Sequence, residues 1–170
     1  MNRQTLVAPL LAILIVGGLA GGILYWTRNN HLELTGQVLK VRSHMVEPQN
    51  TMVAIDFRVT NPSTNEFVVR AVEVFIEDKE GKSLETNIFP EIDARRLFTY
   101  YPVLGKKFNQ TLVIKDKIEP GQTLDRMIAV GVPITDSALQ ERKGLRIEIE
   151  DLDGSKSVIR EERPSGSQSH

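Results

Sequence analysis

The sequence predicts an all-β domain, an antiparallel β-sandwich, preceded by a single N-terminal transmembrane helix. Residues 6–26 form an apolar run without a charged residue. At about 1.5 Å of rise per residue, a helix of this length spans roughly 30 Å, the thickness of the hydrocarbon core of a bilayer. The rest of the chain alternates repeatedly between apolar and polar residues and is interrupted by turn residues, a pattern typical of short half-buried strands.

We interpret residues 1–28 as an uncleaved signal anchor. A cleavable signal peptide has an apolar region of about 7–15 residues, whereas this run is longer and ends in two aromatic residues that favour the membrane interface. Cleavage after Ala20 remains the alternative. A short basic leader resembles that of a signal anchor, so we expect a single-pass cell-membrane protein with its C-terminal domain outside the cytoplasm. The residues taken as the anchor are Leu6, Leu14, Ile15, Tyr25 and Trp26.

Four glycines within the apolar run form two overlapping G-x-x-x-G pairs, Gly17 with Gly21 and Gly18 with Gly22. Small residues on one face allow two membrane helices to approach closely, so this face could form a homodimer. Glycine is also frequent in membrane helices for other reasons, and both interpretations stay open.

The composition of the remaining chain limits its function. From residue 29 onward there are 19 Lys and Arg residues against 22 Asp and Glu residues. This balance argues against nucleic-acid binding, which usually requires a basic excess. The chain contains no cysteine, which excludes disulfides and thiolate metal sites. We assign residues 32–163 to one β-domain and residues 164–170 to a disordered tail.

The first half of the domain contains three stretches with an alternating pattern. Residues 34–41 are a candidate first strand. Apolar residues occupy every second position of residues 53–59, and Asn61-Pro62-Ser63 ends that strand. Residues 72–76 alternate in the same way and precede a turn in which Gly81 can adopt a positive φ.

The second half continues this pattern, with a Pro120-Gly121 turn and an Asp153-Gly154 pair that predicts a two-residue hairpin. Leu112, Ile114 and Ile118 are expected on one strand face. Strands are predicted over residues 112–118, 128–132, 145–149 and 157–159.

Two segments depart from the strand pattern. Residues 135–143 begin with a capping Thr or Asp and continue with helix-favouring residues, which predicts a short helix with Gly144 as its C-cap. Residues 90–109 form a long connection with helical character over residues 93–98.

Residues 52–83 carry a family resemblance. They include V-A-I-D-F-R-V-T-N-P-S-T-N and V-R-A-V-E-V-F-I-E-D-K-E-G-K, and they resemble bacterial extracytoplasmic immunoglobulin-like domains of the F-x-L-Y-D type. They are also similar to the water-hypersensitivity domain of atypical late embryogenesis abundant proteins. Val74 and Glu77 stand where the F-x-L-Y-D pattern has aromatic residues. The resemblance implies a non-enzymatic, immunoglobulin-like sandwich outside a membrane, and it implies no specific ligand.

The residues offer no recognisable catalytic site. The chain lacks a G-x-S-x-G motif, a P-loop and a dinucleotide-binding fingerprint. The isolated histidines, His31, His44 and His170, are expected to be exposed. Carboxylates cluster at Glu148, Glu150, Asp151 and Asp153. Glu148 and Glu150 alternate with isoleucines as on an exposed strand face, and the cluster lacks the spacing of a calcium loop.

We therefore expect a non-catalytic interaction or structural module that is anchored in a membrane and binds a protein partner. No metal and no cofactor are expected. The alternative is a small extracytoplasmic hydrolase or transferase with an unrecognised carboxylate site, which a polar pocket containing groups of perturbed pKa would favour.

The segment of residues 89–108 contains five of the nine Phe and Tyr residues of the chain, together with four basic residues. Aromatic and basic residues together are typical of interface hot spots and of loops that contact anionic lipid. The other interpretation is a plug that closes the core. Because Pro102 disfavours helix at Tyr101, only one of the two adjacent tyrosines should reach the core. The candidate contact residues are Arg95, Arg96, Phe98, Tyr100, Tyr101, Lys106 and Lys107.

Overall fold

The structure is a computed structural model that describes residues 16–18, 21–22, 33–84 and 86–162. The chain divides into two units, Met1–His31 and Leu32–His170. In the first unit, the described residues are helical. No described helix is long and apolar enough to cross a bilayer. The predicted anchor residues Leu6, Leu14, Ile15, Tyr25 and Trp26 lie outside the described residues, as do His31, His170 and the predicted tail.

The four glycines of the predicted dimer face, Gly17, Gly18, Gly21 and Gly22, are among the described residues. A Cβ added to any of them would meet no described atom within 4 Å. Dimerisation through this face stays a prediction.

The second unit is mostly β-strand, which confirms the predicted all-β class. Within residues 33–84 and 86–162, two α-helices and one 3₁₀ turn accompany the strands. The strands are β1 (Thr35–Glu47), β2 (Asn50–Thr60), β3 (Phe67–Glu77), β4 (Ser83–Leu84), β5 (Asn87–Ile88), β6 (Gln110–Thr111), β7 (Lys117–Ile118), β8 (Thr123–Val132), β9 (Gly144–Asp151) and β10 (Lys156–Arg160). The helices are α1 (Glu91–Tyr100) and α2 (Asp136–Gln140), and the 3₁₀ turn is Pro102–Leu104.

The described strands form two five-stranded sheets. Sheet 1 has the order β1-β2-β8-β5, with β6 also beside β8, and sheet 2 has the order β10-β9-β3-β4, with β7 also beside β3. The pairs are antiparallel, except that β6 runs parallel to β8. The main apolar core takes side chains from both sheets, among them Ile55, Phe57 and Ile128 from sheet 1 and Ile76, Ile147 and Ile159 from sheet 2.

The alternating pattern identifies the buried faces of sheet 2. In β9 the residues Leu145, Ile147 and Ile149 are buried and their neighbours are half-buried. In β3 the pattern changes phase, because the register shifts between Val69 and Ala71. A bulge places one extra residue in the strand and so exchanges the faces of the residues that follow it.

The predicted strand over residues 112–118 is wrong, because a turn interrupts it. Lys115 has a φ of 74°, and the Asp116 carboxylate accepts a hydrogen bond from the Val113 N–H at 3.1 Å. The turn carries the chain from β6 in sheet 1 to β7 in sheet 2. Ile114, expected on the buried face, is therefore 64% exposed.

The two ends of α2 and the hairpin between β9 and β10 can be compared with the predictions. The Thr135 hydroxyl caps α2 as predicted and accepts from the Ala138 N–H at 3.2 Å. Gly144 is the first residue of β9 and not the C-cap of α2, which is Glu141. The Asp153-Gly154 hairpin is confirmed, but its connection spans residues 152–155, closed by a bond from the Asp151 N–H to the Ser155 carbonyl at 2.9 Å.

The two central strands of sheet 1 are buried on both faces. In β2 every residue from Thr51 to Phe57 is buried, and in β8 the same holds from Met127 to Val132. The alternation of residues 53–59 predicts a half-buried strand, so a second layer must cover the outer face of this sheet.

Candidate docking surface

The second layer is the covering segment, defined here as residues 89–108, which comprises α1 and the 3₁₀ turn. It packs on the outer face of sheet 1 and forms a second apolar cluster there. The cluster combines Ala94, Phe98 and Leu104 of the covering segment with Met52, Ala54, Met127 and Ala129 of β2 and β8, and Phe89, Leu97 and Tyr101 pack against it.

Local sequence explains why α1 forms and where it ends. Pro90 precedes the first turn, and Glu91 and Asp93 lie within it, where negative charge interacts favourably with the helix dipole. At the other end, Pro102 stops the helix, and the Tyr101 N–H still bonds the Leu97 carbonyl at 2.9 Å. The predicted helical character of residues 93–98 is thus confirmed, and the helix extends two residues further in each direction.

A buried ion pair joins the covering segment to the sheet. Arg42 of β1 contacts Asp56 of β2 at 2.7 Å, and the two side chains are 9% and 6% exposed. One terminal nitrogen of Arg42 donates to the carbonyls of Leu104 and Lys106, both at 2.8 Å. The other oxygen of Asp56 accepts from the Asn109 side-chain amide at 2.8 Å. The ion pair therefore binds the backbone at Leu104 and Lys106 and the side chain of Asn109.

The Arg42 guanidinium also lies against aromatic rings of the covering segment. It is 4.9 Å from the Phe98 ring centroid and 5.8 Å from that of Phe108. A planar guanidinium can bind a carboxylate and carbonyls at its edge while it stacks on a ring, which a lysine cannot do. Arg42, a residue of β1, therefore contacts β2, the 3₁₀ turn and both phenylalanine rings at the same time.

A second polar contact closes the segment. The Lys107 ammonium donates to the Asn109 carbonyl at 2.9 Å and lies 3.4 Å from the Glu91 carboxylate. Burial acts to raise the pKa of Glu91, but hydrogen bonding and the nearby positive charge of Lys107 outweigh it, so this pKa is below its ordinary value. Glu91 is therefore ionised at neutral pH and ties the start of α1 to the end of the segment.

The adjacent tyrosines point in different directions, as predicted. Tyr101 packs against the second cluster, and its ring lies 4.9 Å from the ring of His44. Tyr100 is 75% exposed. His44, expected to be exposed, is half-buried because it lies in β1 beneath this contact.

The covering segment also carries a set of side chains that are exposed to solvent, and we name this set the docking face. Its apolar side chains are between 59% and 75% exposed. Arg95 and Arg96 lie among them and pair with Glu91 at 4.0 Å and with Asp93 at 3.6 Å. The docking face consists of Ile92, Arg95, Arg96, Tyr100, Val103, Lys106 and Phe108.

The seven residues selected from the sequence separate into two groups. Arg95, Arg96, Tyr100 and Lys106 lie on the docking face. Phe98 and Tyr101 point toward the sheet, and Lys107 is occupied by internal contacts. The inward group fits the interpretation as a plug, and binding by the exposed group stays a prediction.

Sequence reasoning missed several important residues. Ile92 and Tyr100 are eight positions apart and flank Arg95 and Arg96, the spacing of one helix face, so a helix assignment for the whole segment would have found them. Asp56 interrupts an apolar strand run, which is a signal for a buried partner. Nothing in the local sequence around Arg42 indicates that it is that partner.

The carboxylates considered for catalysis have structural contacts. Arg146 bonds Glu77 and Glu148 at 3.1 Å each, and Arg70 lies 3.2 Å from Glu150. Asp151 accepts from the Val68 N–H at 2.6 Å. Within the described ranges, no group of three or more His, Asp or Glu residues is arranged to hold a metal ion.

An open groove of about 560 Å³ lies where β4 leaves sheet 2 and β5 joins sheet 1. Its described lining is largely aliphatic and includes the titratable side chain of Glu73. The lining residues are Val72, Glu73, Val74, Phe75, Leu84, Thr86, Asn87 and Ile88.

No protein-family model matches the chain, and no curated protein sequence matches it. A functional proposal therefore rests on the geometry of the covering segment and on the apolar N-terminal run.

Proposed function

We propose that this protein is a non-catalytic, membrane-anchored extracytoplasmic module that acts by binding through its docking face. In this proposal, residues 6–26 span the membrane, and the two sheets form an immunoglobulin-like sandwich. The length of the apolar run supports the first element, and the core to which both sheets contribute supports the second.

The observation that carries the binding function is the exposure of large apolar side chains on a segment whose backbone is held by the buried ion pair. Tyr100, Val103 and Phe108 are each more than 70% exposed. Exposed apolar residues that occur together on one surface favour an interaction site over random surface variation. The buried pair of Arg42 and Asp56 fixes the backbone beneath them, so binding need not order a loop.

A site-specific photo-crosslinker tests this function in the full chain. It is placed at Val103 on the docking face and, as a matched control, at Leu152, which is 63% exposed in the β9–β10 turn. We expect adducts in native membrane vesicles from position 103 and not from position 152. Equal yields from both positions would contradict a specific docking face.

Orientation is tested separately with reporters fused after His170. Active alkaline phosphatase at this position is the expected result, whereas a fluorescent cytoplasmic fusion would overturn the extracytoplasmic assignment.

A further inference from the structure

We infer that the docking face binds the anionic phospholipid surface of the membrane that holds the chain. This inference rests on the proposed membrane anchor and names the partner of the proposed docking face. Three features of the chain favour this partner: the protrusion of the apolar side chains, the distribution of charge and the length of the connection to the anchor.

Protrusion is the first feature. The covering segment is the outermost layer over sheet 1, and the apolar side chains of its docking face project into solvent. A protein partner binds such side chains tightly where it offers well-packed pockets for them. The interfacial region of a bilayer accepts aromatic and aliphatic side chains without a preformed pocket, and Tyr is well suited to it because its ring is apolar and its hydroxyl remains hydrated.

The distribution of charge is the second feature. The chain from residue 29 onward has three more acidic than basic residues. The covering segment reverses this balance, with four basic and two acidic residues, and Arg95, Arg96 and Lys106 are exposed. An anionic surface therefore attracts the docking face and repels the remainder of the domain, which selects one orientation.

The length of the connection is the third feature. Seven residues, 27–33, separate the end of the apolar run from Leu34, and a chain of this length extends about 25 Å at most. A domain held this close to a lipid surface meets it at a high effective concentration, so weak contacts are sufficient.

A single fluorescent label tests the inference, because the chain contains no cysteine of its own. Val103→Cys carries an environment-sensitive label, and Leu152→Cys is the matched control. The full chain is placed in nanodiscs of phosphatidylcholine with or without phosphatidylglycerol. We expect quencher-bearing lipids to quench the label at position 103 in anionic nanodiscs, and we expect high salt to reverse this. At position 152, the label should remain accessible to aqueous iodide in both compositions.

Charge variants sharpen the test. In the Val103→Cys background, Arg95→Gln and Arg96→Gln should each lower the ratio of docked to undocked domain by about five-fold, since one basic residue near an anionic surface contributes about that much. Arg70→Gln and Lys156→Gln, at exposed positions of sheet 2, are the controls and should not lower it.

Three other outcomes would overturn the inference, and each excludes a different partner. Equal quenching with and without phosphatidylglycerol would exclude an anionic partner. The label at position 103 could be protected from iodide in native membrane vesicles but not in nanodiscs that contain no other membrane protein. This result would identify a protein partner, and the proposed function would stand. If this label is protected in neither, the lipid inference and the docking function both fail.

Discussion

The outer faces of the two sheets are built differently, although both sheets contribute to the same core. On sheet 2 the outward positions of β3 and β9 are mostly charged, and Arg146 pairs with Glu77 and Glu148 while stacking 4.2 Å from the Phe75 ring. On sheet 1 the corresponding positions include Ala54 and Ala129, which are fully buried under the covering segment. Small outward residues leave room for a helix, whereas charged ones require solvent.

This difference explains why a helix covers the outer face of sheet 1 and not that of sheet 2. A sheet whose outward side chains already pair with one another has no need of a cover. Sheet 1 needs one, and a helix that supplies it must expose its own opposite side. The exposed side chains of the covering segment are thus a consequence of covering sheet 1.

The largest effect should come from Arg42→Met, because this change leaves the buried Asp56 carboxylate without its charge partner. We expect unfolding free energy to fall by about 3–5 kcal/mol, as measured by urea denaturation of the full chain in detergent. Arg146→Met on the open face of sheet 2 is the control and should cost about 1 kcal/mol. Similar losses for both would show that the covering segment does not depend on the ion pair.

The next effect concerns the second apolar cluster. Phe98→Ala should cost about 3 kcal/mol, since it opens a cavity between α1 and sheet 1. Phe75→Ala, which removes a half-buried ring from the outer face of sheet 2, should cost about 1 kcal/mol. The same denaturation experiment compares them, and a reversed order would refute the cover on sheet 1.

The adjacent tyrosines separate packing from docking. Tyr101→Ala should reduce stability by about 1–2 kcal/mol because its ring packs inward, whereas Tyr100→Ala should stay within about 0.5 kcal/mol. In the photo-crosslinking experiment, Tyr100→Ala should nevertheless reduce adducts from position 103. If both changes cost several kcal/mol, the segment is only a plug and the docking proposal fails.

The smallest effects should come from exposed ion pairs, one on each sheet. The hydrogen bond from Arg58 lowers the pKa of Asp125 in sheet 1, and the bond from Lys117 lowers that of Glu66 beside sheet 2. A lowered folded-state pKa contributes stability above the unfolded pKa, near 4 for these groups, and loses it as the pH falls through the folded value.

We therefore expect Arg58→Gln and Lys117→Gln to lower the urea midpoint slightly at pH 7, and both differences to shrink toward pH 3. Both pairs are solvent-exposed, so the two sheets should respond alike. A large difference for either variant at pH 7 would show that one of these pairs is more than a surface contact.

Much of the β-structure could be predicted because period-two alternation is a local signal. Residues 145–149 alternate without interruption, and β9 follows them. Residues 112–118 alternate as well, but the backbone turns at Lys115 because the chain must cross between sheets. Strand position is encoded by neighbours in sequence, whereas a crossing is imposed by strands that are distant in sequence.

The candidate surface could be predicted only in part. Its composition drew attention to residues 89–108, and the geometry of Pro102 separated Tyr100 from Tyr101. The inward orientation of Phe98 and the contact of Lys107 with Asn109 depend on where α1 lies on the sheet. Helical periodicity gives relative directions along one helix, but it does not tell which direction faces the domain.

By itself, the sequence determined the all-β class, the positions of the longer strands and the short helix that follows Thr135, because backbone preference and alternation act over a few residues. It also supplied the apolar run and the basic, aromatic composition of the covering segment. Only the tertiary structure decided that this segment covers sheet 1 and that Arg42 and Asp56 join beneath it. Such a pairing depends on burial, which arises when strands and helix come together and not from any stretch of sequence alone.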